Sequence, residues 1–76
     1  MSKATFLGKA IKFSFHSTRR RKQRGISEEQ IIDVIIRPEY VKKMPDGSKV
    51  AVRKLQKRTI TVVYVEEDFI RVIMVF

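Results

Sequence analysis

The residues best suited to chemistry lie in one short stretch, FSFHSTRRRKQRGISEEQ, between Phe13 and Gln30. It contains the only histidine of the chain, His16, and arginines at Arg20 and Arg24, four and eight residues later. On a helix this spacing brings the three side chains to one face. An imidazole exchanges protons near neutral pH, and a guanidinium group binds two phosphate oxygens at once. The stretch could therefore cleave a phosphodiester, or it could be a strand end beside a solvated basic face.

A strand followed by a short helix would position these side chains. Successive strand residues alternate between two faces, so the strand that contains Phe13 is expected to direct His16 to its polar face. Ser17 or Thr18 is then predicted to cap a helix that ends at Gly25, a residue that readily adopts the left-handed conformation. This prediction places His16 at the positively charged N-terminus of a helix.

A second helix is predicted to follow directly. Residues SEEQ, from Ser27 to Gln30, have the pattern of a capping box, and Pro38 would stop the helix. Its apolar face is expected to pack on a sheet through Ile31, Ile32, Ile35 and Ile36.

Beyond the second helix, the apolar residues alternate as they do in strands, and Pro45-Asp46-Gly47 is typical of a hairpin turn. The predicted strands form an antiparallel meander. The predicted fold class is α+β, with two short helices packed on a three- to four-stranded antiparallel sheet, an N-terminal arm over residues 1–10 and a single domain over residues 11–76. The strands are predicted at Tyr40–Met44, Lys49–Leu55, Thr59–Glu66 and Phe69–Phe76.

The last two predicted strands are apolar on both faces. The helices can cover one face, and the other is expected to be covered by the first strand, the N-terminal arm or a second protein chain. That other face is predicted to contain Val63, Val65, Val72 and Met74.

The charge of the chain points to a polyanionic partner. Seventeen Lys and Arg residues against eight Asp and Glu give a formal net charge of +9. The basic cluster around Arg20 has no apolar residue at helical spacing, so an interfacial membrane helix is not expected, and nucleic acid or an acidic protein remains. The chain has no cysteine, a single histidine and no long apolar run. A metal site, a cofactor and a membrane span are therefore not expected, and the cytoplasm is the expected location.

Several further residues are candidates for RNA binding. Arg53 is a charge on a largely apolar strand, where it could bind RNA or protect an edge strand from aggregation. With a two-residue turn at Glu67-Asp68, Tyr64 would lie opposite Arg71 and add a phenol and a guanidinium to one face; a longer turn would separate them. The candidates in addition to the first stretch are Arg19, Arg21, Lys22, Arg53, Lys54, Tyr64 and Arg71.

The stretch FSFHSTRRRKQRGIS resembles the pattern F-S-x-H-x3-R-x3-R-G-I of small domains grouped with the BrnT-like and RelE-like proteins. These proteins are ribonuclease toxins of type II toxin–antitoxin modules with a barnase-like fold, and the similarity covers residues 11–76. The resemblance implies a metal-independent endoribonuclease of the mRNA interferase type, with His16 and Arg20 lining the RNA site. Arg24 would belong either to that site or to the corner between the helices.

The resemblance also implies partners: RNA, including ribosome-associated mRNA, together with an antitoxin protein or a second copy of the domain. One position departs from the pattern, because such domains often end in a strand with a Thr or Ser and a Tyr, whereas Met74 and Phe76 stand here. The alternative hypothesis is a non-catalytic nucleic-acid-binding or protein-interaction domain.

Overall fold

A computed structural model describes residues 5–76, which form two helices and one curled, half-barrel sheet of six strands. The elements are β1 Thr5–Phe6, β2 Lys9–Phe13, α1 Phe15–Arg24, α2 Glu28–Ile36, β3 Tyr40–Lys43, β4 Lys49–Leu55, β5 Arg58–Glu66 and β6 Ile70–Val75. The strands lie in the order β1-β2-β6-β5-β4-β3. Helix α1 packs against β6 and α2 packs against β4 and β5, so that one hydrophobic core lies between the helices and the sheet.

The sheet is larger than predicted and mixed, so the prediction of three to four antiparallel strands is wrong. The meander from β3 to β6 is antiparallel, as expected, but β2 pairs with β6 in parallel, with Ile11 beside Ile70 and Phe13 beside Val72. A parallel pair joins segments that are distant in the sequence, with both helices and three strands between them here. The alternation of apolar and polar residues within one strand cannot reveal a pairing with a strand so distant in the sequence.

The N-terminal segment adds the sixth strand. β1 and β2 form a short hairpin in which Leu7 and Gly8 both have positive φ, 57° and 74°. Positive φ at both central residues is the feature of the type I′ turn that favours hairpins. Of the predicted arm, residues 1–4 lie outside the described residues, whereas Phe6 packs against the core and Leu7 is exposed.

Helix α1 begins earlier than predicted. The hydroxyl oxygen of Ser14 accepts a hydrogen bond from the Ser17 backbone N–H at 3.1 Å, so Ser14 is the N-cap and the prediction of Ser17 or Thr18 is wrong. His16 is therefore the second helical residue and does not lie on a strand face. The end of the helix is confirmed, since Gly25 has left-handed backbone with φ of 67°.

Helix α2 confirms the predicted capping box. The Ser27 hydroxyl accepts from the Gln30 N–H, and the Gln30 side chain accepts from the Ser27 N–H. The packing face differs from the prediction, because Val34 is fully buried and Ile36, at the end of the helix, is 42% exposed. The buried face consists of Ile31, Val34 and Ile35, with Ile32 partly buried. Neither α1 nor α2, the helices of the described chain, has the length and apolar character needed to cross a membrane.

A bulge interrupts the pairing of β5 with β6. Tyr64 lies beside Val72, whereas the preceding residue of β5 lies beside Met74, so Ile73 is an extra residue in β6. An extra residue reverses the alternation of the strand from that point onward. Both Val72 and Val75 are consequently buried in the core.

The sheet face that was predicted to need a cover is smaller than expected. Of its four predicted residues, Val72 is buried under the helices, whereas Val63, Val65 and Met74 are half-buried. β1 and β2 extend the sheet at one edge and do not form a layer over this face. Its coverage by a partner chain stays a prediction for the three remaining residues.

Candidate functional site

A pocket of about 380 Å³ lies between α1 and the end of β6. Four of its residues are polar side chains from α1, and two are large apolar side chains from the last residues of the sheet. We call it the α1 pocket; it is lined by His16, Arg19, Arg20, Gln23, Met74 and Phe76. Two of the three residues predicted as catalytic, His16 and Arg20, therefore line one cavity.

The position of α1 follows from where β2 ends. Beside β6, β2 extends only as far as Phe13, which lies next to Val72. Ser14 then attaches the start of α1 to the strand: its N–H donates to the Val72 carbonyl at 3.0 Å and its hydroxyl to the Ile73 carbonyl at 3.3 Å. The helix that follows packs against β6, and the α1 pocket lies between this helix and the end of that strand.

Helical spacing explains the polar wall of the pocket. Residues three and four positions apart on a helix lie on the same face, so His16, Arg20 and Gln23 are aligned, with Arg19 beside them. The side of α1 about 100° around the helix from His16 is directed to the protein interior, where Ser17 is fully buried. The face that lines the pocket is thus fixed by the packing of the helix.

The apolar wall is fixed by the sheet. Met74 and Phe76 are two residues apart, so they lie on the same side of the strand. The Phe76 N–H donates to the Thr61 carbonyl at 2.8 Å, and the Thr61 N–H donates to the Phe76 carbonyl at 3.2 Å. These two bonds hold the backbone of Phe76, although the residue itself is 44% exposed.

The α1 pocket is electropositive. No Asp or Glu is among its lining residues, and neither Arg19 nor Arg20 forms an ion pair with any described residue. The Arg20 guanidinium lies over the Phe76 ring at 5.9 Å from its centroid, and its Nε is buried without a hydrogen-bond partner within residues 5–76. The exposed His16 imidazole lies at the positive end of the helix dipole, in a first turn that contains no acidic residue. The pocket is suited to a bound anion.

The remaining basic residues of α1 lie outside the pocket. Arg24 is exposed, and its carbonyl accepts a hydrogen bond from the Arg58 guanidinium. Arg21 donates to the Ile26 carbonyl at 3.2 Å and lies 4.0 Å from Glu28, so it holds the corner between α1 and α2. Lys22 is exposed.

The predicted strand residues are not brought to the pocket. Arg53 donates to the Arg37 carbonyl at 2.7 Å and lies 3.6 Å from an Asp33 oxygen, so it fastens the end of α2 to the sheet. Its strand, β4, lies between β3 and β5, but the pairing with β3 ends at Val52, so Arg53 is paired on the β5 side alone. Lys54 is an exposed neighbour whose backbone N–H donates to Glu39 at 3.1 Å.

Tyr64 and Arg71 are not opposite each other. The turn between β5 and β6 has three residues, which places Arg71 beside Val65 and Tyr64 beside Val72. Tyr64 is 2% exposed, and burial raises the pKa of its phenol. Arg71 is exposed and lies 3.5 Å from Glu67. The phenol is therefore inside the core, and the guanidinium is on the surface.

A second charged cluster was not predicted. Glu66 at the end of β5 accepts hydrogen bonds from the Lys9 and Lys49 ammonium groups, each at 3.0 Å. We call this cluster the Glu66 bridge. The hydrogen bond from Lys9, followed by that from Lys49, holds the pKa of Glu66 below its usual value, and the bond to Glu66 raises the pKa of Lys49. The bridge joins three strands, β2, β4 and β5.

The donor groups of the α1 pocket do not resemble a metal site. Mg²⁺ and Ca²⁺ are bound mainly by carboxylate and carbonyl oxygens, whereas this pocket presents an imidazole, two guanidiniums and one amide. Throughout residues 5–76 there is no group of three or more His, Cys, Asp or Glu side chains that could hold a metal ion.

Three residues of the pocket, Gln23, Met74 and Phe76, were not predicted as catalytic or RNA-binding residues. Gln23 follows His16 by seven residues, two helical turns, and this spacing was a usable signal. Phe76 was noted only for lacking a hydroxyl, because the bulge that places it beside α1 leaves no local signal.

Comparison with known proteins identifies the family. The family model described as a domain of unknown function, DUF4258, matches residues 13–76, so the chain belongs to that family. No curated protein and no solved structure matches the chain. The matched segment begins at the last residue of β2 and includes every residue of the α1 pocket.

Proposed function

We propose that this DUF4258 domain is a metal-independent endoribonuclease of the toxin type. The observation that supports the proposal is the α1 pocket, where one imidazole and two guanidiniums without acidic partners among the described residues line a cavity. The net charge of +9 favours a polyanionic substrate. The stretch FSFHSTRRRKQRGIS also resembles the BrnT-like and RelE-like pattern, through the same His16 and Arg20 that line the pocket.

The reaction is attack of a ribose 2′-hydroxyl on the adjacent phosphate. A bond forms between O2′ and phosphorus, the bond from phosphorus to O5′ breaks, and the products end in a 2′,3′-cyclic phosphate and a 5′-hydroxyl. One proton leaves the 2′-hydroxyl, and one is taken up by the departing oxygen. His16 performs one of these transfers as general base or acid, and water performs the other.

The arginines stabilise the charge that develops on the phosphate oxygens. The Arg20 guanidinium lies 5.9 Å from the centroid of the Phe76 ring, and Arg20 lines the pocket. A guanidinium can bind two oxygens of one phosphate. Arg19 supplies a second positive charge to the same or a neighbouring phosphate.

A protein partner is the second part of the proposal. β3 is an edge strand of the described sheet, and Tyr40 and Val41 on it are 60% and 45% exposed. The other two residues of the strand, Lys42 and Lys43, are exposed as well, and an exposed sheet edge is a surface to which an extended segment can add as a further strand. We assign this edge to an antitoxin of a type II module acting in the cytoplasm. Co-purification with the product of a neighbouring reading frame tests the assignment, and pairing of two copies of the domain instead would contradict it.

A second candidate function is RNA binding without cleavage. It is favoured by the residues that line the pocket: His16 is the one imidazole among them, and Met74 and Phe76 provide no hydroxyl group. A site with one proton-transfer group depends on water for the second transfer, which lowers the achievable rate.

Cleavage of an end-labelled RNA in the presence of EDTA separates the two functions. We expect the wild type to cleave and His16→Ala to be about 10²–10⁴-fold slower, with nearly unchanged RNA affinity, because general acid–base catalysis contributes a factor of that order. Lys42→Ala, which removes an exposed charge from the distant β3, is the control and should retain the wild-type rate. Binding without cleavage would establish the second candidate, and cleavage that stops when EDTA is added would reject the metal-independent mechanism.

A further inference from the structure

We propose that the α1 pocket accepts one unpaired base, which stacks on Phe76, and that the substrate is consequently single-stranded RNA. The inference rests on the proposed function and adds the class of substrate. It is carried by the juxtaposition of an exposed aromatic ring with a polar, cationic wall in one cavity.

The Phe76 ring has the properties of a stacking surface, and a base placed on it would share the ring with the Arg20 guanidinium, which lies 5.9 Å from the ring centroid. Its backbone is fixed by the two hydrogen bonds to Thr61, yet the residue is 44% exposed and its side chain lines the pocket. Leaving a large apolar ring accessible to water forgoes the stabilisation of burial. A nucleobase placed on the ring would recover that contact, and every base has a face that can stack.

The polar wall completes a site for one nucleotide. Gln23 carries both a donor and an acceptor, which can pair with a base edge, while Arg19 and Arg20 lie on the same wall and can hold the phosphate. The volume of about 380 Å³ falls in the lower part of the range of small-molecule sites, about 300–1,000 Å³. The space therefore suits a single nucleotide.

The geometry favours single strands over duplex RNA. In a duplex both faces of each base are covered by stacking, and A-form RNA presents a major groove too deep and narrow for side chains to read. Phe76 lies inside a pocket between α1 and β6, so a base must leave the helical stack to reach it. In an unpaired strand this costs much less than in a duplex.

Fluorescence anisotropy with an RNA that cannot be cleaved tests the inference. The probe is a short labelled strand with 2′-O-methyl groups on every ribose, used alone and annealed to its complement, in EDTA at fixed salt. The wild type should bind the single strand more tightly than the duplex. Phe76→Leu, which keeps apolar bulk without the aromatic face, should weaken single-strand binding by about 5- to 150-fold, the range measured for loss of one base–aromatic stack.

Phe69 provides a matched control at the other end of β6. It is half-buried, and the Lys12 ammonium group lies 4.5 Å from its ring centroid, so it is also a phenylalanine with a cationic neighbour. It does not line the α1 pocket. Phe69→Leu should leave the affinity for both probes unchanged, and Phe76→Trp should retain the preference for the single strand.

The outcomes distinguish this inference from the proposed function. Equal single-strand affinity for the wild type and Phe76→Leu, with cleavage of unmodified RNA intact, would overturn the stacking inference alone. Equal affinity of the wild type for single-stranded and duplex RNA would also overturn the stacking inference alone. Absence of both RNA binding and cleavage in the wild type would overturn the proposed function and the inference together.

Discussion

The α1 pocket and the Glu66 bridge each combine two cations with a nearby aromatic residue. They differ in whether the cations are paired with a carboxylate and in whether the aromatic residue is exposed. In the Glu66 bridge the ammonium groups of Lys9 and Lys49 are both bonded to one carboxylate, and the adjacent Tyr64 is buried. In the α1 pocket the cations have no acidic partner in the described part of the chain, and the ring of Phe76 is accessible.

This difference separates charge that stabilises the fold from charge that is available to a ligand. The Glu66 bridge joins three strands of the curled sheet, and one carboxylate pairs with both of its ammonium groups, so that its positive charge is partly offset within the protein. The charges of the α1 pocket attract an external anion. The net charge of the chain does not distinguish the paired cations of one cluster from the cations of the other, which are unpaired within residues 5–76.

The largest expected difference between the two clusters is in catalysis. Arg20→Lys should reduce RNA cleavage by about 10²–10³-fold, because a compact ammonium group cannot reproduce two parallel hydrogen bonds to a phosphate. Lys9→Arg in the Glu66 bridge exchanges the same two residue types in the reverse direction, and it should leave the rate of RNA cleavage unchanged. Initial rates on one labelled RNA give the comparison, and equal rates for the two variants would remove Arg20 from the mechanism.

The salt dependence of RNA binding should also separate the clusters. Each phosphate contact on a single strand contributes about 0.7 to the slope of log K against log salt, so replacing Arg19 and Arg20 together by Gln should reduce that slope by about 1.4. The same replacement of Lys42 and Lys43, exposed on the distant β3, should leave the slope nearly unchanged. Equal slope changes in the two double variants would mean that the whole basic surface binds RNA without a preferred site.

The smallest effect should be the acid sensitivity of the Glu66 bridge. Because Lys9 and Lys49 hold the pKa of Glu66 below its usual value, its carboxylate stabilises the fold above the pKa in the unfolded chain, about 4.3. That contribution is lost as the pH falls through the lower pKa of the folded state. Between about pH 6 and about pH 2, urea unfolding midpoints of the wild type should therefore fall more than those of Glu66→Gln.

Asp68→Asn is the control for this titration, because Asp68 is exposed and forms no ion pair within residues 5–76. It should follow the wild-type curve. Parallel curves for the wild type and Glu66→Gln would mean that the bridge does not stabilise the fold.

Local signals in the sequence were sufficient for much of the fold. The capping box at Ser27 and Gln30, the left-handed Gly25 and the strand Lys49–Leu55 are confirmed, since each depends on neighbours within a few residues. The parallel pairing of β2 with β6 depends on contacts between the two ends of the chain, and alternation is the same in parallel and antiparallel strands. The sheet was therefore predicted too small.

The candidate site was likewise predictable where it depends on neighbouring residues and not where it depends on strand pairing. The i, i+4 spacing correctly predicted that His16 and Arg20 lie together. The helix itself begins earlier than predicted, because its N-cap is Ser14, three residues before the first predicted cap, Ser17. The β6 bulge decides that Phe76 completes the pocket. A bulge results from pairing between strands, so the chemistry of the C-terminal residues gave no indication of it.

Attack by a 2′-hydroxyl is the central claim, and a single substitution in the substrate tests it most directly. Two otherwise identical labelled RNAs are incubated with the wild-type protein in EDTA, one of them with a 2′-deoxynucleotide at the position that is cut. We expect cleavage of the all-ribose strand to a 2′,3′-cyclic phosphate and a 5′-hydroxyl, and no cleavage at the substituted position. Equal cleavage of both strands, or products that end in a 3′-hydroxyl and a 5′-phosphate, would contradict it.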